Sequence, residues 1–271
     1  MSEQDQSYRK AWNPLTFRGV AKFASSKLPR LLLIEFLFSL IIFSTVVWFI
    51  AKNYAPIIVK TIEQLPDTGR LENRTLKGIE SRIESEGKFL SLTIETNDLA
   101  DTGTGDLQVG FGETNIFVCS VVSSSWGCLT FDYPPDTLDL NRSSVQPWWG
   151  ARQPIIIGTV GVCFIVIVFA GLALIAIALM WLPKFVAYFA DRKLTLLEAW
   201  KLSVAAQFPG IIVLGAAVIL YGSQSMDLLS IGVFYAMHIV VDLVYLIGAV
   251  FFLPRIATKV ANPFGSSEKR K

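Results

Sequence analysis

The sequence predicts an α-helical integral membrane protein with four transmembrane helices and a small α+β extracytoplasmic domain. Three observations support this fold class: four long runs are almost free of charge, basic segments alternate with them, and a patterned polar segment separates the first two runs. Hydrophobic residues make up 52% of the chain and charged residues only 17%. Because a membrane-spanning helix needs about 20 apolar residues, each run is long enough to span.

The predicted spans are residues 31–51, 154–182, 204–226 and 228–253. The second and third runs contain no Asp, Glu, Lys or Arg, and the first contains only Glu35. The fourth contains only Asp242 and the single histidine, His238. The first run starts too late and is too long for the apolar part of a cleavable signal peptide, so we expect it to be a span.

The charge distribution predicts the orientation of the spans. The tail 1–30, the loop 183–203 and the tail 254–271 carry net charges of +4, +2 and +4, whereas the segment 52–153 carries −5. Basic residues near span ends are retained on the cytosolic side. We therefore expect a multi-pass protein of the cell (inner) membrane with both termini cytosolic and with 52–153 as the extracytoplasmic domain.

The basic tail 1–30 contains a possible amphipathic helix. Asn13 and Pro14 are typical of a helix start, and apolar residues from Phe17 to Leu28 then recur at helical spacing. Such a helix could lie on the inner leaflet. Alternatively, the tail only fixes the topology through its charge.

The extracytoplasmic domain is predicted to combine a short helix with about four antiparallel strands. The helix is expected around Thr75 to Arg82, where apolar residues follow helical spacing. Alternating or apolar patterns between Gly, Asn and Ser turns indicate the strands. They are predicted at 89–96, 107–111, 115–122 and 127–131.

Cys119 and Cys128 flank the predicted turn Ser123–Trp126. If the two neighbouring strands pair symmetrically about that turn, the cysteines face each other at a separation that suits a disulfide. An oxidising compartment favours the disulfide over two free thiols or a metal-binding pair.

The loop 183–203 is predicted to contain an interfacial helix before the third span. Thr195 and Glu198 have the spacing of a capping box, which starts a helix. Trp200 suits the headgroup depth of the membrane. Pro209, a short way into the third span, predicts a kink.

The fourth span carries the candidate site. Tyr235, His238, Asp242 and Tyr245 are separated by three, four and three residues, so they lie on one helical face. An aspartate at mid-membrane costs roughly 2.5–3.5 kcal/mol even on a lenient scale, so it needs a partner, and His238 is one turn away. Three interpretations are open: a structural polar seam between helices, a proton or ion site, or a surface for a partner helix.

A seam would need further polar partners and close helix contacts. The candidate partners are Ser39, Ser44, Gln207 and Tyr221, and the glycines that would allow close approach are Gly158, Gly161, Gly171, Gly215 and Gly232. Glu35 lies at a different depth from Asp242, and we expect it at the interface or paired with Lys201 or Arg255.

No catalytic or cofactor motif is recognised. Asn97–Asp106 is rich in oxygen ligands but lacks the spacing of a calcium-binding EF-hand loop, so a solvated turn is the better interpretation. A single histidine is too few for the common two-histidine metal sites. We expect no enzymatic activity, no metal, no cofactor and no nucleic-acid partner.

Several features together resemble a bacterial membrane-protein family of unknown function, with one span, an extracytoplasmic insert and three more spans. These features are Phe17 and Phe23 before the first span, Leu65-Pro66 with Gly69 at the start of the insert, and Arg192-Lys-Leu-Thr with Trp200 before the third span. The resemblance implies this architecture and a cell-membrane location.

Two classes of function follow from these features. The first is a non-enzymatic membrane sensor, scaffold or accessory subunit that binds a partner or ligand through its extracytoplasmic domain. The alternative is a small oligomeric transporter or channel that uses the intramembrane pair His238 and Asp242. Either class implies the lipid bilayer and a protein partner or homo-oligomer as partners.

Overall fold

The computed structural model describes residues 13–95, 105–120 and 128–256. Its helices are α1 (Phe17–Ala24), α2 (Leu28–Phe49), α3 (Ala55–Glu63), α4 (Arg142–Leu179), α5 (Trp181–Phe189), α6 (Leu196–Ala206), α7 (Phe208–Gly222) and α8 (Leu228–Val250). Its strands are β1 (Arg70–Glu72), β2 (Thr75–Lys77), β3 (Ile83–Glu86), β4 (Leu90–Ile94), β5 (Leu107–Phe111), β6 (Asn115–Ser120), β7 (Leu129–Asp132) and β8 (Leu138–Asp139). A π-helical turn, Ile50–Tyr54, joins α2 to α3.

Within the described residues, four helical segments have the length and apolar composition needed to cross a membrane: Leu28–Glu63, Arg142–Phe189, Leu196–Gly222 and Leu228–Val250. Three of them extend beyond the predicted spans. The first continues past residue 51 to Glu63, the second begins at Arg142, before residue 154, and the third begins at Leu196, before residue 204. The extensions of the first two contribute helical walls to the strand-containing part of the chain.

The chain forms two compact units. We call Met1–Phe38, Val168–Val213 and Ala236–Lys271 the helical unit. We call Ser39–Ile167 and Leu214–Tyr235 the strand-containing unit.

In the helical unit, α1 packs against α6. The amphipathic pattern of this segment does form a helix, as predicted. The helix starts later than Asn13-Pro14 predicts, because Thr16 is the N-cap. The Thr16 hydroxyl accepts a hydrogen bond from the Gly19 amide. Val20 and Phe23 are completely buried. Much of the apolar face of α1 therefore packs within the protein.

The predicted capping box at the start of α6 is present. The Thr195 hydroxyl accepts from the Glu198 amide, and the Glu198 carboxylate accepts from the Thr195 amide at 2.8 Å. The helix is interrupted at Gln207, between α6 and α7, just before Pro209. Most of α6 from Ala199 onward is buried, whereas Leu196 and Leu197 in its first turn are exposed.

The strand-containing unit holds two small sheets. One has the strand order β3-β4-β5-β6-β7, and the other has the order β2-β1-β8. All pairings are antiparallel except that of β4 with β5, which is parallel. The prediction of about four antiparallel strands was therefore wrong in number and in this pairing. Strands of two to four residues are too short to show a clear alternation in the sequence.

The helix predicted around Thr75 to Arg82 is also wrong. Asn73 and Arg74, both with positive φ, form a two-residue turn that pairs β1 with β2, and Gly78 has φ +78°. Left-handed backbone at these positions prevents a helix and favours a hairpin. The apolar residues Leu76 and Ile79 still reach the core, but from a strand and a turn.

The core of this unit forms where α3 meets the sheets. It includes Ile62, Leu65, Leu71, Leu76, Ile79, Ile83, Ile94 and Tyr133. Strand β4 is buried on both faces, including Ser91 and Thr93, whereas its alternating pattern predicts one polar, exposed face. Helix α3 packs against β3 and β4.

Candidate functional site

The structure brings two of the four predicted site residues together. On α8, His238 Nε2 lies 3.3 Å from Asp242 Oδ2, and the two side chains are only 6% and 4% exposed. Their spacing of four residues places them one turn apart on the same face. This pair is a buried polar contact in the helical unit.

Gly210 of α7 makes room for the pair. A Cβ atom at residue 210 would overlap His238 Nδ1 and Asp242 Oδ1. The close approach of α7 to α8 therefore depends on the missing side chain. Sequence reasoning listed five other glycines and missed this one, although a Pro-Gly step early in the third span was a visible signal.

The two predicted tyrosines do not share the burial of the pair. Tyr235 is 52% exposed. The Tyr245 hydroxyl donates to the carbonyl of Leu15 at 3.0 Å, and its ring packs on Phe17 with centroids 4.9 Å apart. Tyr245 thus ties α8 to the segment before α1.

Among the expected seam partners, Gln207 is buried in the helical unit. Its side-chain amide donates to the carbonyls of Leu172 and Ser203 at 3.1 and 3.2 Å. Ser44 donates to Leu40 within α2. Tyr221 instead donates to the carboxylate of Asp106 in the strand-containing unit.

Glu35 is completely buried, so it does not lie at an interface with solvent as expected. Lys201, one of its proposed partners, donates to the carbonyl of Ser26 at 2.9 Å. Arg255, the other, forms a short antiparallel bridge with Arg192 through the backbone.

Of the five glycines expected to allow close helix contacts, two lie against α2. A Cβ at Gly161 would overlap Phe43 and Val47, and one at Gly215 would come within 3.3 Å of Ile41. At Gly158, Gly171 and Gly232, no atom of a described residue packed against the helix lies within 4 Å of an added Cβ.

The strand-containing unit has a second candidate site that sequence reasoning missed, an apolar cavity of about 200 Å³. We call it the outer cavity. Its walls are α3, β2, β4, β5 and the first turns of α4. Apart from two tryptophans, Thr61 is the only residue with a polar side chain among the described residues of the lining, and its hydroxyl donates to the carbonyl of Ile57 within the helix. The surface of the cavity is therefore apolar.

Two tryptophans from α4 line the outer cavity. The indole N–H of Trp149 is buried and has no acceptor within the described residues. Trp148 is 49% exposed, and the guanidinium of Arg152 lies 5.2 Å from the centre of its ring. The cavity thus has a cation beside its more exposed edge, and the buried indole N–H of Trp149 is not part of its surface.

A second depression, of about 360 Å³, adjoins this edge. It shares Leu140, Val145 and Trp148 with the outer cavity and adds Leu138, Asp139 and Ser144. Asp139 forms an exposed ion pair with Arg70 at 3.5 Å.

The predicted cysteine pair lies at disulfide-bonding distance. Cys119 and Cys128 have Cα atoms 4.3 Å apart, and they follow the register in which Val118 of β6 pairs with Leu129 of β7. The turn Ser123–Trp126 and most of the acidic stretch Asn97–Asp106 lie outside the described residues.

Comparison of the chain with family models, with curated proteins and with solved structures finds no match.

Proposed function

We propose that this chain is a non-enzymatic, multi-pass protein of the cell membrane whose extracytoplasmic domain binds an apolar ligand, as a sensor or accessory subunit. The charge pattern supports cytosolic termini and an outer position for 52–153. The outer cavity is the single observation that supports ligand binding. Small-molecule sites are typically concave and mostly apolar, with few polar groups.

The size of the cavity limits its ligand. An engineered apolar cavity of about 150 Å³ binds benzene, so the outer cavity, at about 200 Å³, can hold a group of similar or slightly larger size. A larger ligand would leave its remaining atoms at the edge near Trp148.

Methyl NMR can test apolar binding on the full chain in lipid nanodiscs, with benzene as the probe. We expect the methyl signals of Ile58, Ile62 and Ile94 to shift on addition of benzene, because these side chains line the cavity. Ile177 of α4 is 48% exposed and serves as the control for partition into lipid.

A Val145→Phe variant narrows the outer cavity and should abolish the shifts while Cys119 and Cys128 remain oxidised. If benzene shifted the methyl signals of Ile177 and of the cavity residues equally, and if these shifts were unchanged in Val145→Phe, a ligand site in the outer cavity would be ruled out.

The alternative function, transport or channel activity through His238 and Asp242, is less well supported. The backbone at Gly210 packs directly against both side chains, which favours a structural seam. Ion flux in reconstituted vesicles that falls strongly in Asp242→Asn, with the protein still folded, would restore the transport interpretation.

A further inference from the structure

We propose that Arg192 and Arg255 form a binding site for the phosphate of an anionic phospholipid headgroup, at the end of the fourth predicted span. The site belongs to the helical unit and does not involve the outer cavity. It takes from the proposed function only that the chain lies in a membrane. Three observations carry the inference: a backbone bridge that places the two arginines opposite each other, their lack of a carboxylate partner in the described part of the chain, and the position of the bridge.

The end of α5 determines where Arg192 lies. Asp191 has φ +50°, and the Arg192 amide donates to the carbonyl of Ala187 at 2.8 Å. This is the bond pattern of a left-handed helix C-cap, which reverses the chain direction. The Arg192 guanidinium also donates through Nη1 to the carbonyl of Leu253, just after α8. Both the backbone and the side chain of Arg192 are therefore held in place.

A short backbone bridge then brings a second arginine to the same place. Arg192 and Arg255 are an antiparallel pair, and the Lys193 amide donates to the carbonyl of Pro254 at 3.0 Å. Residues directly opposite in such a pair have Cβ atoms about 4.5–5.5 Å apart on one face. The two arginine side chains therefore leave the bridge on the same side.

Like charges directly opposite each other are destabilising. Within the residues that the structure describes, neither Arg192 nor Arg255 forms an ion pair with an Asp or Glu side chain. An anion bound between the two guanidinium groups offsets their repulsion. Arginine has five N–H donors, so the single bond from Arg192 to Leu253 leaves others for an anion. Phosphate matches the fork of guanidinium donors, and two arginines favour a headgroup with net negative charge.

The position of the bridge assigns the phosphate to a lipid. Arg255 is two residues beyond Leu253, the last residue of the charge-free run 228–253, and two residues span at most about 7 Å. The headgroup layer on each side of the hydrocarbon is about 5–8 Å thick. Helix α5, which leads into the bridge, exposes Trp181 and Tyr188, the residue types enriched at membrane–water interfaces. The arginine pair therefore lies at the depth where lipid phosphates are found.

Native mass spectrometry of the full chain, released from detergent micelles, tests the proposal. The probes are phosphatidylglycerol and phosphatidylcholine with the same acyl chains, added at equal concentration. A basic residue near a membrane surface contributes about fivefold to the binding of an anionic lipid. We therefore expect one phosphatidylglycerol to bind about 25-fold more tightly than phosphatidylcholine.

Two matched variants isolate the arginine pair. Arg255→Gln should lower the preference for phosphatidylglycerol about fivefold. Because Arg255 forms the bridge through its backbone, the variant should keep the unfolding temperature of the unmodified chain. Lys193→Gln removes the same charge from the next residue, whose side chain leaves an extended backbone on the opposite face, and should change the preference less than twofold. Arg255→Lys keeps the charge without the planar fork and should lose only part of the preference.

Three results would overturn the inference. One is equal binding of the two lipids by the unmodified chain. Another is a loss in Lys193→Gln as large as that in Arg255→Gln, which would show a general attraction to positive charge. The third is displacement of phosphatidylglycerol by a tenfold excess of glycerophosphoglycerol, its headgroup without acyl chains, which would assign the site to a soluble phosphate.

The proposed function is tested separately. Benzene shifts at the outer cavity, together with equal binding of the two lipids, would overturn the headgroup site alone. Selective binding of phosphatidylglycerol without benzene shifts would overturn the apolar ligand site alone.

Discussion

At the scale of single residues, the two candidate sites depend on small details of packing. The pair His238 and Asp242 is enclosed because residue 210 has no side chain. The outer cavity is apolar because the hydroxyl of Thr61 is used within α3 and the indole N–H of Trp149 is buried. The pair lies in a predicted span, whereas Trp149 lies in the segment 52–153 that the sequence predicts as the extracytoplasmic domain.

Replacing Gly210 with alanine should destabilise the protein by about 1–3 kcal/mol, because the added methyl group overlaps both side chains of the pair. Gly171→Ala is the matched control, since nothing lies within 4 Å of a Cβ there, and it should be neutral or slightly stabilising. Thermal unfolding in mild detergent measures both. Equal stability of the two variants would contradict the packing of Gly210 against the pair.

Tyr133 should contribute a pH-dependent part of the stability. Its hydroxyl donates to the carbonyl of Gly112 at 2.9 Å, and burial raises the pKa of Tyr133 above its usual value near 10. A raised tyrosine pKa means that the stabilisation is complete below pH 10 and is lost as the pH rises beyond that value.

The Tyr133→Phe variant should lose about 0.5–1.5 kcal/mol at neutral pH and should differ less from the unmodified protein above pH 10. Denaturant unfolding at pH 7 and pH 11 measures this difference. Tyr188→Phe is the control, because Tyr188 is 77% exposed. If the difference in unfolding free energy between Tyr133→Phe and the unmodified protein were the same at both pH values, ionisation of the Tyr133 hydroxyl would not be coupled to unfolding.

At the scale of elements, the structure divides into segments that follow their local pattern and segments that do not. β5 has the predicted bounds Leu107–Phe111, and α6 starts at its predicted capping box. β2 replaces a predicted helix because Asn73, Arg74 and Gly78 have positive φ. Turn conformations of this kind prevent a helix even where the spacing of two or three apolar residues predicts one.

The hairpin of β6 and β7 should depend on its cysteine pair. Replacing Cys119 and Cys128 with serine should lower the free energy of unfolding of the strand-containing unit by about 2–3 kcal/mol, since the bond closes a short loop. Limited proteolysis across a denaturant series measures the change. Cys163→Ser is the control, because Cys163 is exposed and unpaired with the other two cysteines.

Two results would argue against this role. Two free thiols at Cys119 and Cys128 in protein isolated under oxidising conditions would exclude the bond. An unchanged proteolysis midpoint in the double serine variant would exclude its contribution to stability.

At the scale of the whole molecule, the proposed function depends on which side of the membrane each segment occupies. The four long apolar helices agree with the predicted spans. Their orientation follows from charge alone and remains a prediction. The outer cavity can meet a ligand from outside the cell only if 52–153 is extracytoplasmic.

Cysteine labelling in intact cells tests this orientation. In a chain without Cys163, a membrane-impermeant maleimide should label Asp136→Cys, and it should label Lys193→Cys only after the cells are permeabilised. Tags at both termini should likewise be protected until permeabilisation. Labelling of Lys193→Cys in intact cells would reverse the orientation and remove the basis for an extracytoplasmic ligand site.

The sequence by itself determined the four long apolar helices, the presence of strands in the insert, the cysteine pairing and the capping box. Each of these depends on a signal within one segment or on residues symmetric about one turn. Only the tertiary structure decided the parallel pairing of β4 with β5, the packing of Gly210 against the pair on α8, and the outer cavity. The residues that line the cavity come from α3, three strands and α4. Because these residues are distant from one another in the sequence, no local sequence pattern predicts the space between their side chains.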